Sequence, residues 1–193
     1  NGKITIQCHD NQNPVLNCEA FEQGLFEKLK LKLRAKQFKY IFAASPAMAI
    51  EMCKYENDNI ELVKSFTGHT RCVYNVLVNK YNNMGGPINQ FISCSFEKSI
   101  RTWDIETGAC IHTLISNQAV ESLAWWKQGQ YLIEGGGNAP FDIHIRQWNQ
   151  RDSTKHDHGA IVKTLQGHTA DIIVLLVDDS TDQLLSCSQD GTI

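Results

Sequence analysis

Apolar positions in this chain fall in short runs that alternate with polar ones, and glycine-bearing or polar stretches separate the runs at near-regular intervals. Glu61–Phe66 (ELVKSF), Cys72–Val78 (CVYNVLV), Ser99–Trp103 (SIRTW), Ile143–Trp148 (IHIRQW), Ile161–Leu165 (IVKTL) and Asp171–Val177 (DIIVLLV) are rich in β-branched and aromatic residues. That is the composition of half-buried or fully buried strands. Ala119–Tyr131 (AVESLAWWKQGQY) reads as a strand, a turn at Lys127-Gln128-Gly129 and a second strand beginning at Tyr131. Trp125 and Trp126 are neighbours on the first of these strands, so their side chains point to opposite faces and Trp126 is expected to be partly exposed. No apolar run approaches about 18 residues, the length that would suggest a membrane-crossing helix.

The pattern repeats. Gly68-His69-Thr70 returns as Gly167-His168-Thr169, each time between two strand-like runs. The separation is two units of roughly 45–50 residues. A unit stands between them, and its last strand superposes on that of the unit before: Ile100 on Ile145, Arg101 on Arg146, Trp103 on Trp148. Toward the N-terminus, Ala49–Lys54 (AIEMCK) and Thr5–Asp10 (TIQCHD) fit the same closing-strand frame, with Cys53-Lys54 and His9-Asp10 where Trp103-Asp104 stands. Leu29–Arg34 (LKLKLR) sits where a unit's first strand belongs and alternates like one. Phe21, Leu25, Leu29 and Leu33 also hold helical i, i+4 spacing, so residues 20–36 read as strand or helix.

Gly-His opening a unit and Trp-Asp closing it, recurring in one frame, resembles the WD-repeat β-propeller family. Cys187–Ile193 (CSQDGTI) is similar to that family's turn into a third strand. The resemblance is clear over 67–193, with the last repeat truncated, and degenerate over 1–66. It implies an all-β fold of four-stranded antiparallel blades, with about four units forming one propeller fragment. A chain that opens on Asn1 and stops in mid-pattern fits an arc of a larger ring, with a further Trp-Asp expected near about residue 197.

The resemblance further implies a hydrogen-bonded network in each blade, joining the Gly-His histidine, a second-strand Ser or Thr, the Asp of the following turn and the closing Trp. The first clear unit offers His69, Ser93 and Trp103, with Glu97 in the Asp position and one methylene longer. The last offers His168, Ser186 and Asp190. In the middle unit Asn117 lies near the His position, Glu134 replaces the Ser, and Asp142 and Trp148 match. The function implied is a non-catalytic scaffold or adaptor, without cofactor, that binds protein or peptide partners through rim loops. On this chain those loops carry Arg71, Phe96, Lys98, Asp171 and Gln189.

Composition narrows the setting. Apolar residues make up 42% and charged residues 20%, with a net charge of −3, which is ordinary for a globular protein and speaks against a nucleic-acid footprint over the whole chain. Seven cysteines, without a C-x-x-C pair, and the absence of any glycosylation sequon favour a reducing compartment, cytoplasmic or nuclear. Most of these cysteines sit in apolar stretches and read as buried filler.

His, Ser and Asp in one unit imitate a catalytic triad, but an active site needs one copy, whereas a blade-stapling network needs one per blade. Asp142, His144, His156 and His158 could support a metal-dependent hydrolase, although their spacing matches no standard zinc site. Cys8, His9 and Cys18 lack a second cysteine pair. Gly135-Gly136-Gly137 leads through Asn138-Ala139-Pro140 into another strand and reads as a flexible turn, since a phosphate cradle needs a helix N-terminus. Lys28, Lys30, Lys32, Arg34, Lys36 and Lys39 form a basic run that is either a solvated face or a contact for phosphate-bearing lipid or nucleic acid.

Overall fold

A computed structural model describes residues 4–7, 15–18, 40–44, 48–56, 59–78, 89–148 and 158–193. The described residues contain fifteen strands and no helix. The first sheet holds β1 (Ile4–Gln7), β2 (Val15–Cys18), β3 (Tyr40–Ala44), β4 (Ala49–Glu56) and β5 (Asn59–Thr67). The next is β6 (Val73–Val78), β7 (Gln90–Ser95), β8 (Ser99–Asp104) and β9 (Cys110–Ile115). A third has β10 (Val120–Trp126), β11 (Tyr131–Gly136), β12 (Ile143–Gln147) and β13 (Ile161–Leu165), and the last has β14 (Ile172–Asp178) and β15 (Gln183–Ser188). The second and third sheets are four-stranded antiparallel meanders.

The strands form where alternation and β-branching predict them, and both faces of β6 and β10 are largely buried. On β6, Val73 and Val76 join a core with Phe42, Ile50, Met52, Phe66, Phe91 and Trp103, on the side of the first sheet. Leu77 turns the other way and packs with Ile92, Ile100, Leu123, Trp125, Leu132 and Trp148, between the second and third sheets. Ala124, Ile133 and Ile145 then meet Ile172 and Leu175 of the last sheet. Each sheet thus shares a core with the next, and each side chain of this size that is fully withdrawn from water contributes about 1.5–3 kcal/mol. A lone sheet with two apolar faces could not bury them, and stacking does. Trp125 is buried and Trp126 half-buried, as their opposite facing requires.

Polar atoms fasten the sheets as well. Trp125 donates its indole N–H to the Val78 carbonyl at 3.1 Å, and Ser122 donates to the Ile172 carbonyl at 2.7 Å. The β10–β11 turn carries positive φ at Lys127 and Gln128. It is held from the β14–β15 turn by Asp179, which accepts the Lys127 N–H at 3.1 Å, and by Asp182, which accepts from Trp126 Nε1 at 2.6 Å.

Three expectations change. The first sheet is not a plain meander: β2 runs parallel to β3, pairing Val15 with Phe42, and packs toward β6. Residues 20–36, with the whole basic run from Lys28 to Lys39, lie outside the described residues, as do Cys8, His9 and His156. Gly135 and Gly136 belong to β11 rather than to a flexible turn. A Cβ on Gly135 would stand 2.3 Å from Ser122 Oγ and 2.8 Å from Ile172 Cγ2, and one on Gly136 would stand 2.3 Å from Gln118 Oε1. The glycines are there because neighbouring side chains occupy the space. Finally, of the cysteines with described side chains only Cys94 is fully buried, while Cys72 and Cys110 are exposed. Cys110 lies on β9, the outermost strand of its sheet, where a side chain finds no second layer.

Candidate functional site

The first clear unit builds its polar network around His69, which the Gly68 turn (φ 151°) places against β7 and β8. His69 Nε2 stands 2.7 Å from Ser93 Oγ, and Trp103 Nε1 donates to the same oxygen at 2.8 Å. The indole edge also covers the opening glycine, with Trp103 Cη2 3.2 Å from where a Gly68 Cβ would be. Glu97, despite its extra methylene, closes the set: Oε1 lies 2.6 Å from His69 Nδ1. That oxygen also accepts from Ser99 and from Arg101 Nε, and Oε2 accepts the Thr70 amide and hydroxyl. Burial pushes the Glu97 carboxyl up, but the bonds from Ser99, Thr70 and His69 outweigh it and hold the group well below the usual carboxylate range. Burial lowers the His69 pKa, with Glu97 opposing. A neutral ring that donates from Nδ1 to Glu97 and accepts the Ser93 hydroxyl proton at Nε2 satisfies every partner.

The last unit repeats the geometry in smaller form. His168 Nδ1 meets Asp190 Oδ2 at 3.0 Å, and Nε2 meets Ser186 Oγ at 2.9 Å. Asp190 also accepts the Thr192 hydroxyl and the Thr169 N–H. These bonds, the Thr192 hydroxyl first, hold its carboxyl below the usual range.

The middle unit is permuted. Asn117 is exposed and outside the network. Ser116 takes the histidine's place and donates to Glu134 Oε1 at 2.7 Å. The acid stands on β11 where the other units have serine, fully buried. The histidine has moved to β12: His144, register partner of Glu134, reaches Oε1 with Nδ1 at 2.6 Å. Arg146 donates from Nε to Glu134 Oε2 at 2.9 Å and from Nη2 to Oε1 at 3.0 Å. Burial pushes this carboxyl up as well, but His144, Arg146 and Ser116 bring it below its ordinary value. Of the two expected members, Asp142 only approaches the histidine, with Oδ2 3.9 Å from His144 Nε2, and Trp148 falls elsewhere. The Gln118 side chain grips the Asp142 backbone at both N–H and carbonyl, and the Asp142 carboxylate accepts from Gln166, the residue before Gly167. Trp148 packs edge-on against Trp125 at 5.7 Å and against the His158 ring at 4.4 Å. The missed members had a signal: an acid flanked by Ile133 and Gly135 in a buried strand requires cations across the register.

His69, Ser93, Glu134 and His144 are buried, whereas His168 and Ser186 of the last unit are half-exposed. His144 is spent on Glu134, and among the described residues no group of three or more His, Cys, Asp and Glu side chains could hold a metal ion. The rim is different. The N–H of Phe96 donates to the Cys72 carbonyl at 3.1 Å, fixing its turn over the start of β6. Arg71 is exposed, with its guanidinium 5.3 Å from the Phe96 ring centroid, and Phe96 meets Tyr74 edge-on at 6.2 Å. Lys98 is exposed and donates to the Asn117 carbonyl at 3.1 Å. Gln189 and Asp171 are joined through their backbones at 2.9 Å in the equivalent turn of the last unit, and burial raises the Asp171 pKa.

The WD40 family pattern, described as WD domain, G-beta repeat, matches residues 60–104 and 159–193. It passes over the unit with the permuted network. The chain is 31% identical over 134 residues to the "Ribosome biogenesis protein WDR12 homolog" of Arabidopsis thaliana, covering 69% of this chain and 28% of that protein. It is 30% identical over 130 residues to "Ribosome biogenesis protein YTM1" of Phaeosphaeria nodorum, covering 67% and 25%. With "Pre-mRNA-processing factor 17" of Homo sapiens the figures are 24% over 133 residues, 68% and 20%. The chain therefore spans less than a third of the length of these curated relatives. Two Gly-His openings, a Trp-Asp and a Trp-Asn closing, stacked four-stranded blades and the two matched repeats make this chain a member of the WD-repeat family.

Proposed function

We propose that this chain is a non-catalytic scaffold that holds protein or peptide partners on the rim loops of its blades. One observation carries the reading. His69, Ser93, Glu134 and His144 are spent inside the blades, while the rim presents Arg71 and Phe96 on a turn whose backbone is already fixed. Both ring nitrogens of His69 are engaged, and its ring is almost wholly withdrawn from water. Arginine and aromatic side chains on a rigid platform are the types that dominate binding energy. Lys98, Asp171 and Gln189 complete the candidate contact set. The relatives' names point to ribosome biogenesis and pre-mRNA processing, and by analogy we place this chain in an assembly of that kind. The free cysteines among the described residues suit a reducing, nuclear or cytoplasmic compartment.

The test uses the intact chain as bait, identifies a captured protein, and measures its affinity directly. Arg71→Glu combined with Phe96→Ala, in a variant with unchanged circular dichroism and unfolding midpoint, is expected to weaken that affinity at least tenfold, about 1.4 kcal/mol. An unchanged affinity would show that the rim is not the contact surface.

A further inference from the structure

We infer that the rim of the unit opened by His69 takes an acidic protein segment. The inference rests on the rim reading above and narrows it to one kind of partner. Three turns share one backbone: Phe96 N to Cys72 O at 3.1 Å, Gly137 N to Ala119 O at 2.8 Å, and Gln189 N to Asp171 O at 2.9 Å. The side chains they carry differ. Before the first stands Arg71, where the last unit has Ala170; within it stand Phe96 and Lys98, where the last unit has Gln189 and Gly191. Lys98 and Gly191 make the same bond, to Ser95 O and Ser188 O, and both take positive φ, 68° and 84°. Glycine adopts that conformation without strain and lysine does not. The fold therefore does not call for a lysine here, and the side chain is present in spite of its backbone.

The local charge is unbalanced. Glu97, between the two cations, has both oxygens engaged by His69, Thr70, Ser99 and Arg101. Arg101 answers its charge. Arg71 and Lys98 form no ion pair with any described residue. Phe96, itself edge-on to Tyr74, braces the Arg71 guanidinium, and Lys98 follows Phe96 by two residues in the same turn. The last unit puts Asp171 and Asp190 in the corresponding region with no cation at 170 or 191. The rim is thus cationic over one unit and acidic over another. A carboxylate-rich segment fits the first, and the second would repel it.

The probe is a fluorescein-labelled ten-residue glutamate peptide, read by anisotropy on the 193-residue chain. Decaglutamine and a ten-nucleotide thymidine oligomer are run beside it, at about 50 and 300 mM salt. The glutamate peptide is expected to bind at least tenfold more tightly than decaglutamine and to weaken with salt. The double variant Arg71→Ala, Lys98→Gly is expected to lose at least tenfold. Glycine suits the φ of position 98, so this variant should remain folded, and Lys163→Ala on exposed β13 should change nothing. Equal binding by the double variant, no discrimination against decaglutamine, or equal or tighter binding of the oligonucleotide would overturn the inference. An identified partner that is lost with Arg71→Glu and Phe96→Ala, while glutamate binding ignores the cations, would overturn the acidic preference alone. A partner indifferent to both would remove the rim reading itself.

Discussion

Ser93→Ala is the sharpest perturbation of the blade network. Ser93 is fully buried, and its single oxygen serves two neighbours, His69 Nε2 at 2.7 Å and Trp103 Nε1 at 2.8 Å. Removing it strands an indole N–H and an imidazole nitrogen in a site closed to water. Each such buried group costs about 1–3 kcal/mol, so the loss should be about 2–6 kcal/mol. Ser186 is the internal control. It occupies the same place on β15 but is half-exposed, and it meets only His168 Nε2, at 2.9 Å. Ser186→Ala should cost about 0.5–1.5 kcal/mol, because water can replace the bond. Equilibrium unfolding in urea, followed by far-ultraviolet circular dichroism, compares the two at equal denaturant dependence. If the two costs agree to within about 0.5 kcal/mol, the network does not work through buried unsatisfied atoms and the reasoning fails.

Other perturbations test the remaining parts. Glu134→Ala leaves Arg146 and His144 facing each other without the acid between them and should cost about 3–5 kcal/mol in the same assay. Gly135→Ala forces a methyl against Ser122 Oγ and Ile172 Cγ2 and should cost about 1–3 kcal/mol by separating the third and fourth sheets. Glu97 has a folded pKa held below its ordinary value of 4.5. Its contribution is therefore complete at neutral pH and is lost as pH falls below that value toward the folded pKa. Glu97→Gln should be less stable than the wild type at neutral pH, with the gap closing on acidification, and unfolding midpoints across the acid range check the direction.

Much of the fold was legible because its marks are local. Gly-His turns, tryptophan-marked closings and β-branched runs marked β5, β6, β8 and β10 to β14, β4 falls on the frame at Ala49–Lys54, and β7, β9 and β15 carried no mark of their own. His69, Ser93 and Trp103 came together as their positions implied, as did His168, Ser186 and Asp190. What escaped depends on pairing across strands. Ser116 carries no motif, and its role follows only from facing Glu134. His144 read as a candidate metal ligand and Arg146 as the match of Arg101, and only the register puts both on the buried acid. Asp142 matched a motif position, yet the loop through Pro140 and Phe141 sends its carboxylate to Gln166 of the following unit. The three glycines suggested mobility, whereas Ser122, Gln118 and Glu121 leave no room for side chains. The parallel pairing of β2 with β3 has no local signature at all.

The central claim is that binding lives on the rim and chemistry does not enter. The most direct measurement is the affinity of one identified partner for three folded chains: wild type, Arg71→Glu with Phe96→Ala, and Ile111→Ser with Val162→Ser on the exposed outer strands β9 and β13. A loss of at least tenfold in the rim variant, with the outer-strand variant unchanged, is the result expected here. The opposite pattern, with the rim variant at wild-type affinity and the outer-strand variant impaired, would contradict it.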